Sequence, residues 1–273
     1  MMNKLQLLLE TNQVLLALLA GIFTWIMTAL GAAIVIFFKK PSEKITNIML
    51  GFASGVMIAA SFWSLLAPAI DKSEHLGMFK IVPVLCGFLS GGLFIRVIEK
   101  LLSKIKVKKN LQNKNDGMFS ILQKNLLLIL SITIHNIPEG LAVGVAFGAI
   151  QNKNREMLLS AIVLAIGIGI QNFPEGAAVS VPLRASGMSR KDSFLFGQLS
   201  AIVEPIFAAI GAAVVVHINP ILPFALAFAA GAMIYVVVEE LVPESQVGGG
   251  ASMATIATMG GFAIMMVLDV SLG

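Results

Sequence analysis

The sequence predicts an all-α polytopic membrane protein of eight transmembrane helices, and three observations carry that reading. Of 273 residues, 57% are hydrophobic and only 12% are charged, about half the charged share of an ordinary soluble domain. So few charges cannot cover a water-soluble surface, which excludes a soluble enzyme, a disordered chain and a nucleic-acid reader. The apolar residues gather into runs of about 20, the length a helix needs to cross a bilayer core of about 30 Å. Between the runs the net charge of +4 comes from clustered lysines, a pattern that reports orientation in a membrane. The lone cysteine, Cys86, cannot staple its own chain.

The elements follow in order. Gln13–Phe38 is free of charge, longer than the apolar stretch of a signal peptide and not followed by a small-residue cleavage site; it reads as the first span. Ile45–Ala67 and Ile81–Ile98 follow, then Leu126–Ile150, Met157–Leu183, Phe194–Val216, Ile221–Leu241 and Ala251–Val270. Inside hydrocarbon each backbone polar group must be satisfied within its own segment, so these are helices. The stretch 101–124 is rich in Lys and Asn and reads as a loop; no separate soluble domain fits, and residues 1–273 form one transmembrane unit.

Lysine and arginine set the sidedness. Loop 39–44, the stretch 99–125 and the loop after the fifth span together hold thirteen of them, against five on the opposite side. Positive residues mark the cytoplasmic face, which makes 101–124 a cytoplasmic loop and places both termini outside the cytoplasm, in a plasma (inner) membrane.

The fourth span contains Ile134-His135-Asn136-Ile137-Pro138-Glu139-Gly140, and 36 residues later the fifth contains Ile170-Gln171-Asn172-Phe173-Pro174-Glu175-Gly176. Consecutive spans run antiparallel, so this is an inverted repeat, the pattern that points to a transporter's binding site. Proline lacks an N–H and clashes with the carbonyl four residues back; a kink is expected at Pro138 and at Pro174. His135 and Glu139 share a helix face, as do Gln171 and Glu175. In the sixth span Glu204 precedes Pro205. An acidic side chain at a helix centre costs roughly 2.5–3.5 kcal/mol, so three unpaired ones would cost about 8–10 kcal/mol, comparable to a whole domain's stability. No lysine or arginine lies at that depth. Protons or cations must therefore neutralise the cluster, and carboxylates with an imidazole and amide oxygens suit a divalent metal of the zinc, iron or manganese kind. Met57 sits at the same depth on the second span and is open to both a ligand and a packing role. Met57, Ser61, Ser64, Pro68 and Asp71 form a stripe running outward.

These residues resemble the ZIP family of divalent metal transporters, most closely its GufA-like branch. The HNxPEG run, its QNxPEG partner and the Glu-Pro of the sixth span carry the likeness, which extends over nearly the whole chain. The resemblance implies a 3+2+3 inverted-repeat arrangement, a homodimer and a binuclear metal centre. One ion would use Met57, His135, Glu139, Gln171 and Glu175; the second would use Asn136, Asn172 and Glu204, with Glu139 and Glu175 bridging. It implies an entrance path through Ser64, Asp71 and Asp269, and a cytoplasmic exit through Glu99, Glu239, Glu240 and Glu244. It also implies that the first, fourth, fifth and sixth helices move as a unit against the other four. Three departures bear on selectivity: Glu239 stands where many members have His, 101–124 lacks histidine, and Asn172 stands where some have Asp.

The expected function is uptake of Zn2+, or Fe2+, Mn2+ or Cd2+, into the cytoplasm. No organic cofactor and no nucleic-acid partner is expected, and the GxxxxGK[ST] loop of nucleotide-driven pumps is absent. Proton-coupled export is the alternative. An intramembrane metallohydrolase is disfavoured because the HExxH arrangement is also absent.

Overall fold

The computed structural model describes residues 6, 8–37, 43–110, 117–150, 154–217, 219–247 and 250–272. Among these residues there are helices and no strands. Helix α1 is Gln13–Ala32, extended by Ile34–Phe37; Asn12 caps it, accepting from the backbone N–H of Val14 at 2.9 Å and Leu15 at 3.3 Å. Helix α2 runs Glu43–Ala60, passes through a π turn at Ser61–Leu66 and continues as Ala67–Lys72. Then come α3 (Ile81–Asn110), α4 (Gly117–Gly148) and α5 (Arg155–Ala185). Helix α6 is in two pieces, Arg190–Leu199 and Val203–His217. Helix α7 is Leu222–Val236, a π turn Val237–Leu241 and Val242–Ser245, and α8 is Ala251–Leu272.

Seven of these helices, α1–α3 and α5–α8, are long and apolar enough to cross a membrane. The other predicted span, Leu126–Ile150, falls on α4 (Gly117–Gly148) except for its last two residues. This is a polytopic all-α membrane protein.

The helices pack in matched pairs. Helix α2 lies along α8 and α7 along α3; α4 lies along α6 and α5 along α1; α2 touches α5 and α7 touches α4. Each contact becomes its partner when α1–α3 are exchanged with α6–α8 and α4 with α5, the packing pattern of a 3+2+3 repeat. Small residues make the close approaches possible, as between membrane helices generally. Gly140, Gly144 and Gly148, four apart on α4, face Glu204, Ala208 and Ala212 of α6, and a Cβ at Gly140 would stand 2.6 Å from the Glu204 carbonyl oxygen. That approach holds the first motif against Glu204.

Three local expectations are revised. The stretch read as a loop, 101–124, is helical over 101–110 and 117–124, while 111–116 lies outside the described residues. Leu and Lys are good helix formers and no Gly or Pro interrupts before Gly117, so the helix outlasts its apolar part. Helices α4 and α5 stay helical through Pro138 and Pro174, and α6, expected as one helix, is broken at 200–202. Pro205 has no N–H to give, and the Glu204 N–H turns to Ala201 O at 3.0 Å, an i→i−3 bond that tightens the backbone there. Finally, α2 and α7 extend beyond the predicted Ala67 and Leu241, each continuing through a proline (Pro68, Pro243) near the start of its last helical piece, where a missing N–H is tolerated.

Candidate metal centre

The eight residues expected at the centre sit on four helices. Helix α4 supplies His135, Asn136 and Glu139, α5 supplies Gln171, Asn172 and Glu175, α6 supplies Glu204 and α2 supplies Met57. All eight are buried, none more than 6% exposed.

The break in α6 is tied to the motif on α4. With the Glu204 N–H turned to Ala201, the Ser200 carbonyl has lost its helical donor, and Asn136 Nδ2 donates to it at 3.0 Å. Asn172 Nδ2 donates to Glu204 Oε2 at 2.8 Å and to the Thr24 carbonyl of α1 at 3.2 Å, while Gln171 Nε2 donates to Asn172 Oδ1 at 2.6 Å. Glu139 lies within electrostatic reach of both Glu175 and Glu204, and Gln171 faces both Glu139 and Glu175. All three amides are anchored through their N–H groups; Asn172 Oδ1 is taken up by Gln171, while Asn136 Oδ1 and Gln171 Oε1 have no hydrogen-bond partner among the described residues.

Six atoms of this group have no hydrogen-bond partner among the described residues: His135 Nε2, Asn136 Oδ1, Glu139 Oε2, Gln171 Oε1, Glu175 Oε2 and Glu204 Oε1. A buried polar atom left unpaired costs about 1–3 kcal/mol; six would cost about 6–18 kcal/mol, as much as a domain's whole stability. Five are oxygens that accept no hydrogen bond among the described residues. A cation among them satisfies several at once, and mixed O and N donors of this kind hold first-row divalent metals.

His135 also reaches beyond this group. Its Nδ1 lies 3.1 Å from Glu240 Oε2 and its Nε2 lies 3.7 Å from Glu99 Oε1. One ligand atom from each of Glu99, His135 and Glu240 falls within 4.8 Å of the others, close enough to hold a metal ion together. The π turn of α7 carries Glu240 to this position. Its neighbour Glu239, expected to act with it, is exposed and lines a groove between α3 and α7; it does not join the cluster. Glu244 follows one turn after Glu240 and is exposed. Sequence reasoning missed Tyr235, whose hydroxyl donates to Glu99 Oε2 at 3.0 Å. The signal was available: it is the chain's one tyrosine, and a tyrosine hydroxyl on an apolar helix needs a partner. Thr24 and Thr28, buried on α1 facing Glu204, were missed for want of any motif.

Two stretches of the chain, 14–125 and 114–269, match the family model for the ZIP zinc transporter. The chain belongs to the ZIP family. It is 40% identical over 337 aligned positions to zinc transporter ZIP11 of Homo sapiens, covering 96% of this chain and 98% of that protein. It is 38% identical to zinc transporter GufA of Myxococcus xanthus, covering 94% and 98%, and 34% identical to zinc transporter ZIPB of Bordetella bronchiseptica, covering 94% and 81%. Membership makes it a transporter rather than an enzyme.

In this ZIP protein the predicted entrance residues divide. Ser64 Oγ donates to Asp269 Oδ1 at 2.8 Å and to Oδ2 at 3.0 Å, and both residues are buried. Ser64 also lines a cavity of about 190 Å³ walled by Pro68, Lys72, Glu156, Met157 and Ser160. Asp71 is exposed on the last turn of α2, outside that pair. His75 and His217 are exposed, and their Nδ1 atoms lie against the backbone carbonyls of Lys72 and Ala213.

Proposed function

We propose that this protein carries zinc, and with it iron, manganese or cadmium as competing divalent cargo, across the membrane into the cytoplasm. The observation that carries the reading is the buried group of unpartnered donors contributed by three helices, which matches the chemistry of a desolvated divalent ion. Two ions fit the donor set: one held by Met57, His135, Glu139, Gln171 and Glu175, the other by Asn136, Asn172 and Glu204, with Glu139 and Glu175 shared between them. Sharing two carboxylates lets each ion offset the repulsion among the acids. The names of the relatives, all zinc transporters, support zinc as the principal cargo.

The route enters at the cavity beside Ser64 and Asp269, passes the central donors, and leaves through His135, Glu99, Glu240 and Glu244. His135 belongs to both the centre and the exit, so rotating its ring hands an ion from one to the other. The packing favours an elevator-like motion. Helices α1, α4, α5 and α6 contact one another, α2 lies along α8 and α3 along α7; α1, α4, α5 and α6 then slide as a body against the rest. Eight crossings, extracytoplasmic termini and a homodimer in the plasma (inner) membrane complete the proposal, resting on lysine distribution and family likeness.

The test is zinc flux into proteoliposomes holding the purified protein, with iron, manganese and cadmium as competitors. Uptake without applied energy, removed by Glu139→Ala in a correctly folded protein, is the expected result. Native flux in Glu139→Ala refutes the central site. Movement of metal only outward and only against a proton gradient refutes uptake.

A further inference from the structure

The outer face of the α3–α7 pair carries a groove of about 440 Å³, within the size range of small-molecule sites. Its walls are apolar: Leu89 and Leu93 from α3, and Ile234 and Val238 from α7. Gly231 lets α7 press onto the backbone at Phe88, so the helices touch closely beneath the groove. Gly92 leaves it open, because a Cβ there would meet only ordinary contacts at 3.5–3.7 Å. Leu89, Leu93 and Val238 are each about 60% exposed (61%, 59% and 64%), which on a membrane protein means exposed to lipid.

One end of the groove is different. Arg96 from α3 and Glu239 from α7 both line it and both are exposed. Neither makes a salt bridge among the described residues. They lie near the ends of the apolar parts of their helices, on the side that the lysine-rich segments mark as cytoplasmic. The groove therefore presents one positive and one negative group at headgroup level, and a hydrocarbon surface running from there toward the membrane interior. A purely anionic headgroup would meet repulsion from Glu239. A headgroup with both signs fits, and one whose cation carries N–H donors can approach the carboxylate closely.

We propose that this groove binds a phospholipid with a primary-ammonium headgroup, phosphatidylethanolamine. Its phosphate sits on Arg96, its ammonium on Glu239, and one acyl chain lies over Gly92 between Leu89, Leu93 and Ile234. The groove adjoins the proposed exit at Tyr235, which lines it and donates to Glu99, but neither Arg96 nor Glu239 belongs to that route and the proposal does not depend on the transport reading.

The experiment measures lipids retained by the purified full-length protein, by native mass spectrometry after release from vesicles containing equal parts phosphatidylethanolamine, phosphatidylcholine and phosphatidylglycerol. The wild type should retain phosphatidylethanolamine with about a two- to fivefold preference over each of the others, the range that exposed ion pairs give. Gly92→Leu fills the groove and should remove the retained lipid. Arg96→Gln, a surface change with no packing role, should remove the preference and serves as the test if Gly92→Leu folds poorly. Equal retention of the three lipids by the wild type, a preference for phosphatidylglycerol, or wild-type preference in Arg96→Gln overturns the proposal.

Discussion

Glu240→Gln isolates what the structure adds to the motif. Glu240 Oε2 lies 3.1 Å from His135 Nδ1, whereas His135 Nε2 has no hydrogen-bond partner and stands 3.7 Å from the nearest Glu99 oxygen. If Nδ1–H donates to Glu240, the ring is fixed in the tautomer that leaves Nε2 as the metal-binding nitrogen, and the carboxylate makes that nitrogen more basic. Removing such a partner from a histidine ligand costs about 10–100-fold in metal affinity, or about 1.4–2.7 kcal/mol. The substitution by Gln keeps the volume and a hydrogen-bonding oxygen, so the loss reads out charge and not packing. The assay is calorimetric titration of zinc into purified protein, with Glu239→Gln alongside. Glu239 is one residue away but exposed on the groove side, and its variant should bind zinc as the wild type does. Wild-type affinity in Glu240→Gln, or an equal loss in both variants, would refute the assignment of Glu240 as the group that orients His135.

Three further outcomes are expected. Neutral imidazole and ionised carboxylates are needed for binding, so zinc affinity should weaken steeply between about pH 7.5 and 5.5; Glu204→Gln should lower the number of protons released per zinc, read from calorimetry in buffers of differing ionisation enthalpy, and an unchanged number would remove Glu204 from the coupled set. The thioether of Met57 is a soft ligand, so Met57→Ala should weaken cadmium binding while sparing manganese; equal loss for both would make this buried residue a packing element. Gly144→Ala should lower the thermal midpoint, because its Cβ would collide with the backbone carbonyl of Ala208, an overpacking cost of about 1–3 kcal/mol, whereas Gly92→Ala should leave it unchanged.

What the sequence revealed and what it concealed divide along physical lines. Hydropathy and the need to satisfy backbone groups in lipid were enough to find seven helices of membrane-crossing length, and the duplicated motif together with the Glu-Pro of the sixth span singled out seven polar residues, all of them buried. The fate of each proline was not legible. Pro138 and Pro174 share the motif, yet their helices continue, while Pro205 coincides with a break because Asn136 is there to take up the Ser200 carbonyl. That partner lies 64 residues away in sequence, and no local rule could supply it. The end of α3 was misread for the opposite reason: hydropathy marks where the bilayer stops, but Leu and Lys keep a helix going beyond it. Glu239 and Glu240 look equivalent on paper; a π turn separates them in space.

The two π turns show how the ends of the route relate. Ahead of Pro68, the Ala67 N–H bonds Phe62 O, and ahead of Pro243, the Val242 N–H bonds Val237 O, each five residues back. Each adds one residue to a turn and so rotates later side chains by about 100°, and such bulges gather at functional sites. Helices α2 and α7 exchange under the internal symmetry, as do α8 and α3. The turn in α2 sets Ser64 against Asp269 of α8; the turn in α7 sets Glu240 beside His135, next to Glu99 of α3. The outer pair and the inner cluster are thus two copies of one device, a proline-induced π turn facing an acid on the partner helix. The copies differ in what they hold. At the α2–α8 copy a hydroxyl closes onto the carboxylate and satisfies it within the protein. At the α7–α3 copy two carboxylates meet the imidazole of the repeated motif. The copy at Glu240 therefore touches the histidine of the repeated motif, while the copy at Asp269 is closed by its own hydrogen bonds, so one symmetric frame carries two ends of different chemistry.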